Sequence, residues 1–386
     1  CSVLYRQMSL EDEARTELAD LEARNLRRTE RVLESAQGPV IRIGGRELIN
    51  FGSNDYLGLA GDPRLVKALA EGAERAGVGA GASRLIVGTH SFHVELERAV
   101  ADWLQVESVR TFSSGYAANV GVLTTLLRPG DVVFSDELSH ASVIDGCRLS
   151  KATIRVYPHL DLDALERELA GYPGRRRLVV SESLFSMNGD IPDLVKLRAI
   201  RDRAEAALVL DEAHALGVFG PEGRGLAAEV GVRPEVLIGT FGKALGTSGA
   251  LVATSRAIGE LIWNRARSFV FSTGTPAAVA AATLESLNLV RSGEGDDRRR
   301  SLEHLGRQLR TTSRFGGDVR SPIAPFVVGE EQPCVELFQR FERAGLFVPA
   351  IRPPTVPRGS AMLRLSLSAA HSATQLQQVT DLLSKS

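Results

Sequence analysis

The sequence predicts an α/β protein with a large domain on a mostly parallel central sheet and a smaller α+β C-terminal domain. Three observations predict it. From about residue 94 to 275, short apolar, β-branched runs alternate with helical patterns of roughly 10–15 residues, as repeated βαβ units require. Beyond residue 309 the order changes to strand, helix, two strands and helix. The chain has 386 residues, 44% hydrophobic and 24% charged, which suits two globular domains.

The elements follow in order. Residues 10–35 read as one charged helix with Leu18, Leu21, Val32 and Leu33 on a shared side, ended by Gly38-Pro39. "VIRIGGRELINF" reads as two strands around a Gly-Gly turn, and "SNDYLGLAGDPRL" as a turn-rich lead into a helix near 63–76. A helix near 91–103 precedes the strand "SVRTF" and a helix opening at "GYAANVGVLTTLL". Then come "DVVFSD", "ASVIDGCRLS", "TIRVYPH", the helix "LDALERELAG" and "RLVVSES". The helix "LVKLRAIRDRAEA" leads to "ALVLDE", "EVLIGTF" and "ALVATS". Residues 276–309 read as one or two helices joining the lobes. "APFVVG", a helix at 333–344, "LFVPAI", "MLRLSLS" and a helix at 372–384 complete the second lobe. The expected organisation is an N-terminal helix and arm (1–47), a large domain (48–280) and a small domain (281–386).

Charge and cysteine content narrow the function classes. Lys plus Arg number 46 and Asp plus Glu 47, a formal net charge of −1, so no basic excess points to nucleic acid or an anionic membrane. Nothing approaches the roughly 18 consecutive apolar residues of a membrane span. The scattered Cys1, Cys147 and Cys334 form no framework and favour a reducing compartment. No secretory hydrophobic region is seen, so a cytoplasmic protein is expected, with Cys1 or Met8 as its start.

Parallel sheets gather functional groups at the carboxyl ends of their strands. Ser114 and Gly115 open a helix after "SVRTF", where backbone N–H groups and the helix dipole suit a phosphate, although a plain N-cap has the same sequence. His140 follows "VVFSD", Glu182 and Ser186 follow "LVV", and Asp211 ends "ALVLD" with His214 three residues on. Lys243 is the one charge in "LIGTFGKALGTSGA". By itself it reads equally well as a surface charge. Asp211 and His214 lack further ligands at useful spacing, so no metal site is expected. Ala244 after Lys243 breaks the phosphate-loop motif.

One cofactor needs these parts together. Pyridoxal 5'-phosphate requires a lysine amine, an anion cradle at a helix start, a carboxylate for its ring nitrogen and a flat side chain over its ring. Lys243, Ser114-Gly115, Asp211 and His140 supply one each. Small residues around Lys243 allow close approach, and desolvation lowers the amine's pKa.

From about residue 15 onward the chain resembles the α-oxoamine synthase family of fold-type I pyridoxal-phosphate transferases. The segments that carry the resemblance are "NFGSNDYLGLA", "GAGASRLIVGTHSFHVELE", "FSSGYAANVGVL", "DELSHASVIDG", "ESLFSMNGD", "DEAHALGVFGPEGRG" and "TFGKALGTSGA". Tyr116 stands where Phe is common in the family, and Asn188 where Asp is common. The resemblance implies that Lys243 binds the cofactor, Asp211 pairs with its ring nitrogen and His140 stacks on the ring. It implies that His214, with Ser186 nearby, meets the phenolic oxygen. Ser114, Gly115, Tyr116 and Thr240 would help hold the cofactor, and Ser272 and Thr273 would reach a partner subunit's phosphate in a homodimer. Arg352 would clamp the substrate carboxylate, and Thr355, Asn54 and Arg27 would line the acyl site, with adjacent Arg28 an alternative to Arg27.

Within the family, "PAIRPPTVPRGSAMLRLSLSAAH" is similar to the member that condenses L-alanine with a pimeloyl thioester in biotin biosynthesis. The acyl carrier would be coenzyme A or acyl carrier protein. The alternatives are a member taking glycine and an acetyl thioester, another family member, or an aminotransferase of the same fold.

Overall fold

The computed structural model describes residues 9–172, 175–312 and 314–384; Cys1 and Met8 lie outside them. The strands are Val40–Ile43 (β1), Arg46–Asn50 (β2), Ser108–Phe112 (β3), Val132–Asp136 (β4), Thr153–Tyr157 (β5), Arg177–Glu182 (β6) and Ala207–Asp211 (β7). They continue with Val236–Thr240 (β8), Ala250–Thr254 (β9), Ile323–Gly329 (β10), Leu346–Phe347 (β11), Ala350–Ile351 (β12) and Ala361–Ser366 (β13).

Seven strands form the central sheet in the order β3-β9-β8-β7-β6-β4-β5. β5, β4, β6, β7 and β8 pair in parallel, and β9 runs antiparallel to both of its neighbours. Successive strand residues serve opposite faces. Val133, Val180, Val209, Ile238 and Val252 pack on one side with Val122 and Leu123 of helix Gly115–Leu126, Cys147 of helix Ala141–Ser150 and Ile262 of helix Arg256–Arg265. Phe134, Val179, Leu208, Leu237 and Leu251 face the other way, toward Val100 and Trp103 of helix Ser91–Leu104 and Leu197 of helix Leu194–Arg203. The continuous apolar runs of the sequence are therefore strands buried on both faces.

The C-terminal residues build a smaller sheet, β10-β13-β12, flanked by helix Glu331–Arg343. β11 joins the N-terminal pair instead, in the order β1-β2-β11. The expected strand "LFVPAI" is thus split between two sheets. Pro349 in its middle lacks the N–H a continuous ladder needs. Helix Ala277–Arg291 crosses residue 280, and Ser292 separates it from helix Gly293–Thr312.

The expected helix over 10–35 is corrected to Leu10–Ala23. None of its residues is buried, so no tertiary contact extends it. Asn25 turns into the left-handed region (φ 54°), and the chain then extends until Leu33 bridges Ile43.

Candidate active site

The carboxyl ends of β3, β4, β6, β7 and β8 lead into the segments that carry the site. At the end of β7, Asp211 is buried, its Oδ2 accepting from Asn119 Nδ2 (2.7 Å) and its Oδ1 from the Ala213 N–H (2.9 Å). His214, also buried, lies between Tyr56 (OH to Nδ1, 2.6 Å) and Lys243 (Nζ to Nε2, 2.7 Å). Burial, with the neighbouring Lys243 and Arg364 charges, holds the His214 pKa well below its ordinary value. Burial likewise lowers Lys243 to about 8, against Asp211 and Glu182, which favour its charged form. The one charge of its segment is therefore a buried, weakly basic amine and not a surface charge.

His140 caps helix Ala141–Ser150, with Nδ1 accepting from the Ser142 N–H (3.2 Å) and lying 2.7 Å from Ser142 Oγ. Its own N–H donates to Glu182 Oε1 (2.7 Å). Glu182 pairs in register with Asp211, and burial with that neighbouring carboxylate raises its pKa to about 8. Ser114 caps helix Gly115–Leu126 by accepting from the Ala117 N–H (3.1 Å). A Cβ built at Gly115 would meet nothing within 4 Å, so the first turn of this helix faces open space. Tyr116 donates to Asp145, and Thr240 Oγ1 donates to the Gly249 carbonyl (2.9 Å) while accepting from the Gly242 N–H (3.1 Å).

The structure adds a residue that the sequence reading missed. Arg364 of β13 is buried; its Nε donates to the Ser186 carbonyl (2.6 Å) and its Nη1 to Asn54 Oδ1 (3.2 Å) and Ser366 Oγ (2.7 Å). Its Nη2 has no partner among the described residues, nor has Asn119 Oδ1. Arg352 points elsewhere, donating to the Asn25 carbonyl. Arg28 reaches Thr355 Oγ1 (2.9 Å), whereas Arg27 pairs with exposed Glu22 (3.2 Å). Ser272 and Thr273 line a crevice with Arg84 and Ser113, and Thr273 bridges Ser83. The signals for the missed groups were present: one charge in "MLRLSLS", one amide in the apolar helix "GYAANVGVLTTL" and a tyrosine in "SNDYLGLA".

A groove of about 720 Å³ around Leu104, Arg233 and Ile258 lies at the opposite ends of β3 and β8, away from Lys243. The parts near Lys243 fit pyridoxal 5'-phosphate: a buried carboxylate at a strand end, a depressed-pKa amine, an open helix N-terminus and a spare buried guanidinium N–H.

The aminotransferase class I and II family model matches residues 46–383. The chain belongs to this family of pyridoxal-phosphate enzymes and, within it, to the α-oxoamine synthases. It is similar to 8-amino-7-oxononanoate synthase of Aromatoleum aromaticum, at 43% identity over 380 residues, covering 97% of this chain and 98% of the relative. The enzyme of the same name from Burkholderia mallei is 44% identical over 372 residues, 94% of each chain. A serine palmitoyltransferase from S. paucimobilis, solved with a bound PLP–myriocin aldimine, superposes with TM-score 0.92 at 30% identity over 98% of both chains. An 8-amino-7-oxononanoate synthase from Francisella tularensis gives 0.76 at 28% identity, covering 88% of this chain and 97% of that one. No described helix is long and apolar enough to cross a membrane.

Proposed function

We propose that the enzyme condenses L-alanine with a pimeloyl thioester, releasing CO2 and the free thiol, to give 8-amino-7-oxononanoate for biotin biosynthesis. The observation that carries the chemistry is Lys243 Nζ set 2.7 Å from buried His214, with its pKa depressed to about 8. The relatives at 43–44% identity support the choice of substrates.

Bound pyridoxal 5'-phosphate supplies an electron sink for the carbanion at the amino-acid Cα. Lys243 would hold it and would take the Cα proton, because a buried amine near pKa 8 is a working base at neutral pH. Asp211, fixed by Asn119 and the Ala213 N–H, would keep a proton on the ring nitrogen. His214, with Ser186 nearby, would meet the cofactor's phenolic oxygen, and His140 would cover its ring. The open first turn at Ser114, Gly115 and Tyr116, with Thr240, would take the phosphate. Arg364 receives the alanine carboxylate through its spare Nη2 until that group leaves as CO2. We give this role to Arg364 rather than to Arg352, which the resemblance implied, because Arg352 donates to the Asn25 carbonyl near Arg28 and is left for the acyl end. Arg28, beside Thr355, takes the far carboxylate of the acyl chain with Arg352, whose pKa is lowered by burial and by the nearby Arg28 charge. Arg28 therefore replaces Arg27 in the acyl site, and Asn54 would serve it from beside Arg364.

We further place the enzyme in the cytoplasm as a homodimer, with Ser272 and Thr273 serving the partner's phosphate. A second reading, condensation of serine with a long-chain thioester, is favoured by the higher TM-score to the serine palmitoyltransferase. Sequence identity over nearly the whole chain favours the first reading. Incubation with L-[1-13C]alanine and pimeloyl thioesters of coenzyme A and of acyl carrier protein tests the choice by mass spectrometry. Labelled CO2 with an unlabelled amino ketone is expected. Product from serine and palmitoyl-coenzyme A alone replaces the first reading with the second.

A further inference from the structure

The loops that leave β4, β5 and β6 lie side by side. The first ends in His140, and the third, residues 183–190, carries Ser186. His159, two residues beyond β5, stands between them. Its Nδ1 lies 2.8 Å from Asp136 Oδ1 and its Nε2 3.2 Å from Asp190 Oδ2. A neutral imidazole donates from one nitrogen only, so both carboxylates are met only by the imidazolium. Asp136 is already committed: it is buried and accepts the Leu138 N–H (2.8 Å) and the Leu160 N–H (2.9 Å).

The third loop closes on itself through Phe185 N–H to the Asp190 carbonyl and Gly189 N–H to the Phe185 carbonyl, both 2.9 Å. The His159 ring stands edge-on to Phe185, with centroids 4.5 Å apart. On the inner side, Glu182 accepts the His140 N–H (2.7 Å) and the Ser186 N–H. His140 and Ser186 are thus joined from within by Glu182 and from without by the Asp136–His159–Asp190 bridge.

We propose that His159 is a positioning residue whose imidazolium ties the His140 loop and the Ser186 loop into one unit across the cofactor. The inference rests on the reading that these two residues face pyridoxal 5'-phosphate. The charged and titratable groups around His159 are Asp136 from β4, Asp190 from the third loop, Glu137, whose Oε1 takes the His159 N–H (2.9 Å), and Tyr157 of β5. Burial alone would lower the His159 pKa, but the two aspartates outweigh it and raise it to about 9. A folded pKa above the ordinary value of about 6.5 means the bridge is fully formed below that pH and is lost as pH rises through about 9.

The test compares wild type with His159→Gln and Asp190→Asn, and uses Arg155→Gln, which breaks the Arg155–Glu168 pair on neighbouring β5, as control. Hydrogen exchange of peptides 136–140 and 183–190 and the rate of pyridoxal-phosphate release, followed by absorbance, are measured alongside Tm. Both bridge variants are expected to speed exchange in both peptides and to raise release about tenfold at pH 7. Wild type should approach them above pH 9, and the control should change neither readout. Lower Tm in the bridge variants with wild-type exchange and release would overturn the proposal and leave His159 a purely structural residue. If His159→Gln does not fold, Asp190→Asn decides, because it leaves the Asp136 contact in place. Chain protein that takes up no cofactor would instead refute the reading of the site, while exchange in the cofactor-free protein still tests the bridge.

Discussion

Lys243 is the residue on which the proposed chemistry turns. Its amine is buried and bonded to His214, and in that proposal replacing it removes both the cofactor's attachment and the Cα base. Lys243→Ala is expected to lower kcat by at least ~10⁴-fold, with Tm unchanged or raised because a desolvated amine is gone. Circular-dichroism melting and single-turnover kinetics check the two halves separately. We propose that Arg364 and Arg352 divide two carboxylates between them. Arg364→Ala is expected to raise KM for alanine about 10–100-fold, the worth of a charge-assisted pair, and to leave KM for the acyl donor within about threefold. Arg352→Ala should do the reverse, and initial-rate kinetics with each substrate varied show which holds. Lys243, Asp211, His214 and His140 were legible in the sequence because each interrupts a strand end or turn where packing has no use for it. Arg364 was not, because its strand is buried throughout and its charge reads as one polar position in an alternating run. Arg352 in the next loop upstream offered a more conspicuous guanidinium for the same task.

At the scale of elements, the loop after Asp211 shows how tightly the site is backed. Glu212 is fully buried, and its Oε1 accepts the Ala227 N–H (2.7 Å). Gly225 has φ +94°, and a Cβ there would fall 1.5 Å from Glu212 Oε2. Gly225→Ala therefore combines left-handed strain with overlap against a buried carboxyl, and is expected to cost about 3 kcal/mol or more, read as a fall in the urea midpoint. The strands of the central sheet were readable because double burial leaves uninterrupted runs of Val, Leu and Ile. The end of the first helix was not, because its charges continue past Ala23 and only Asn25's left-handed turn marks the stop. The break at Pro349 was visible as a proline in an apolar run, but its consequence, two sheets sharing one segment, depends on tertiary pairing.

For the whole molecule, the helix-covered central sheet follows from alternation along the chain, and the lobes follow from the change of pattern beyond residue 309. We propose to keep the partition 1–47, 48–280 and 281–386, with the third part beginning inside helix Ala277–Arg291. The homodimer draws support from exposed Ile86 (74%), Val87 (79%) and Phe271 (73%), which the Ser83–Thr273 bridge brings near one another. Apolar side chains so exposed and grouped favour a covered face. Light scattering of the holoenzyme is expected to give twice the chain mass, and Phe271→Asp to shift it toward the monomer with loss of activity. A fully active monomer would remove the role given to Ser272 and Thr273.

The central claim is a carbon–carbon bond made between alanine and a dicarboxylic acyl chain. Pimeloyl has about four more methylenes than acetyl, each worth about 0.8 kcal/mol on burial, and their sum of about 3 kcal/mol corresponds to roughly 200-fold. Thiol release by the purified holoenzyme, followed with a chromogenic disulfide, measures this directly. The predicted result is a kcat/KM for L-alanine with pimeloyl-coenzyme A or pimeloyl-acyl carrier protein at least ~100-fold above that for glycine with acetyl-coenzyme A. Faster thiol release from glycine and acetyl-coenzyme A would contradict the account of the acyl site.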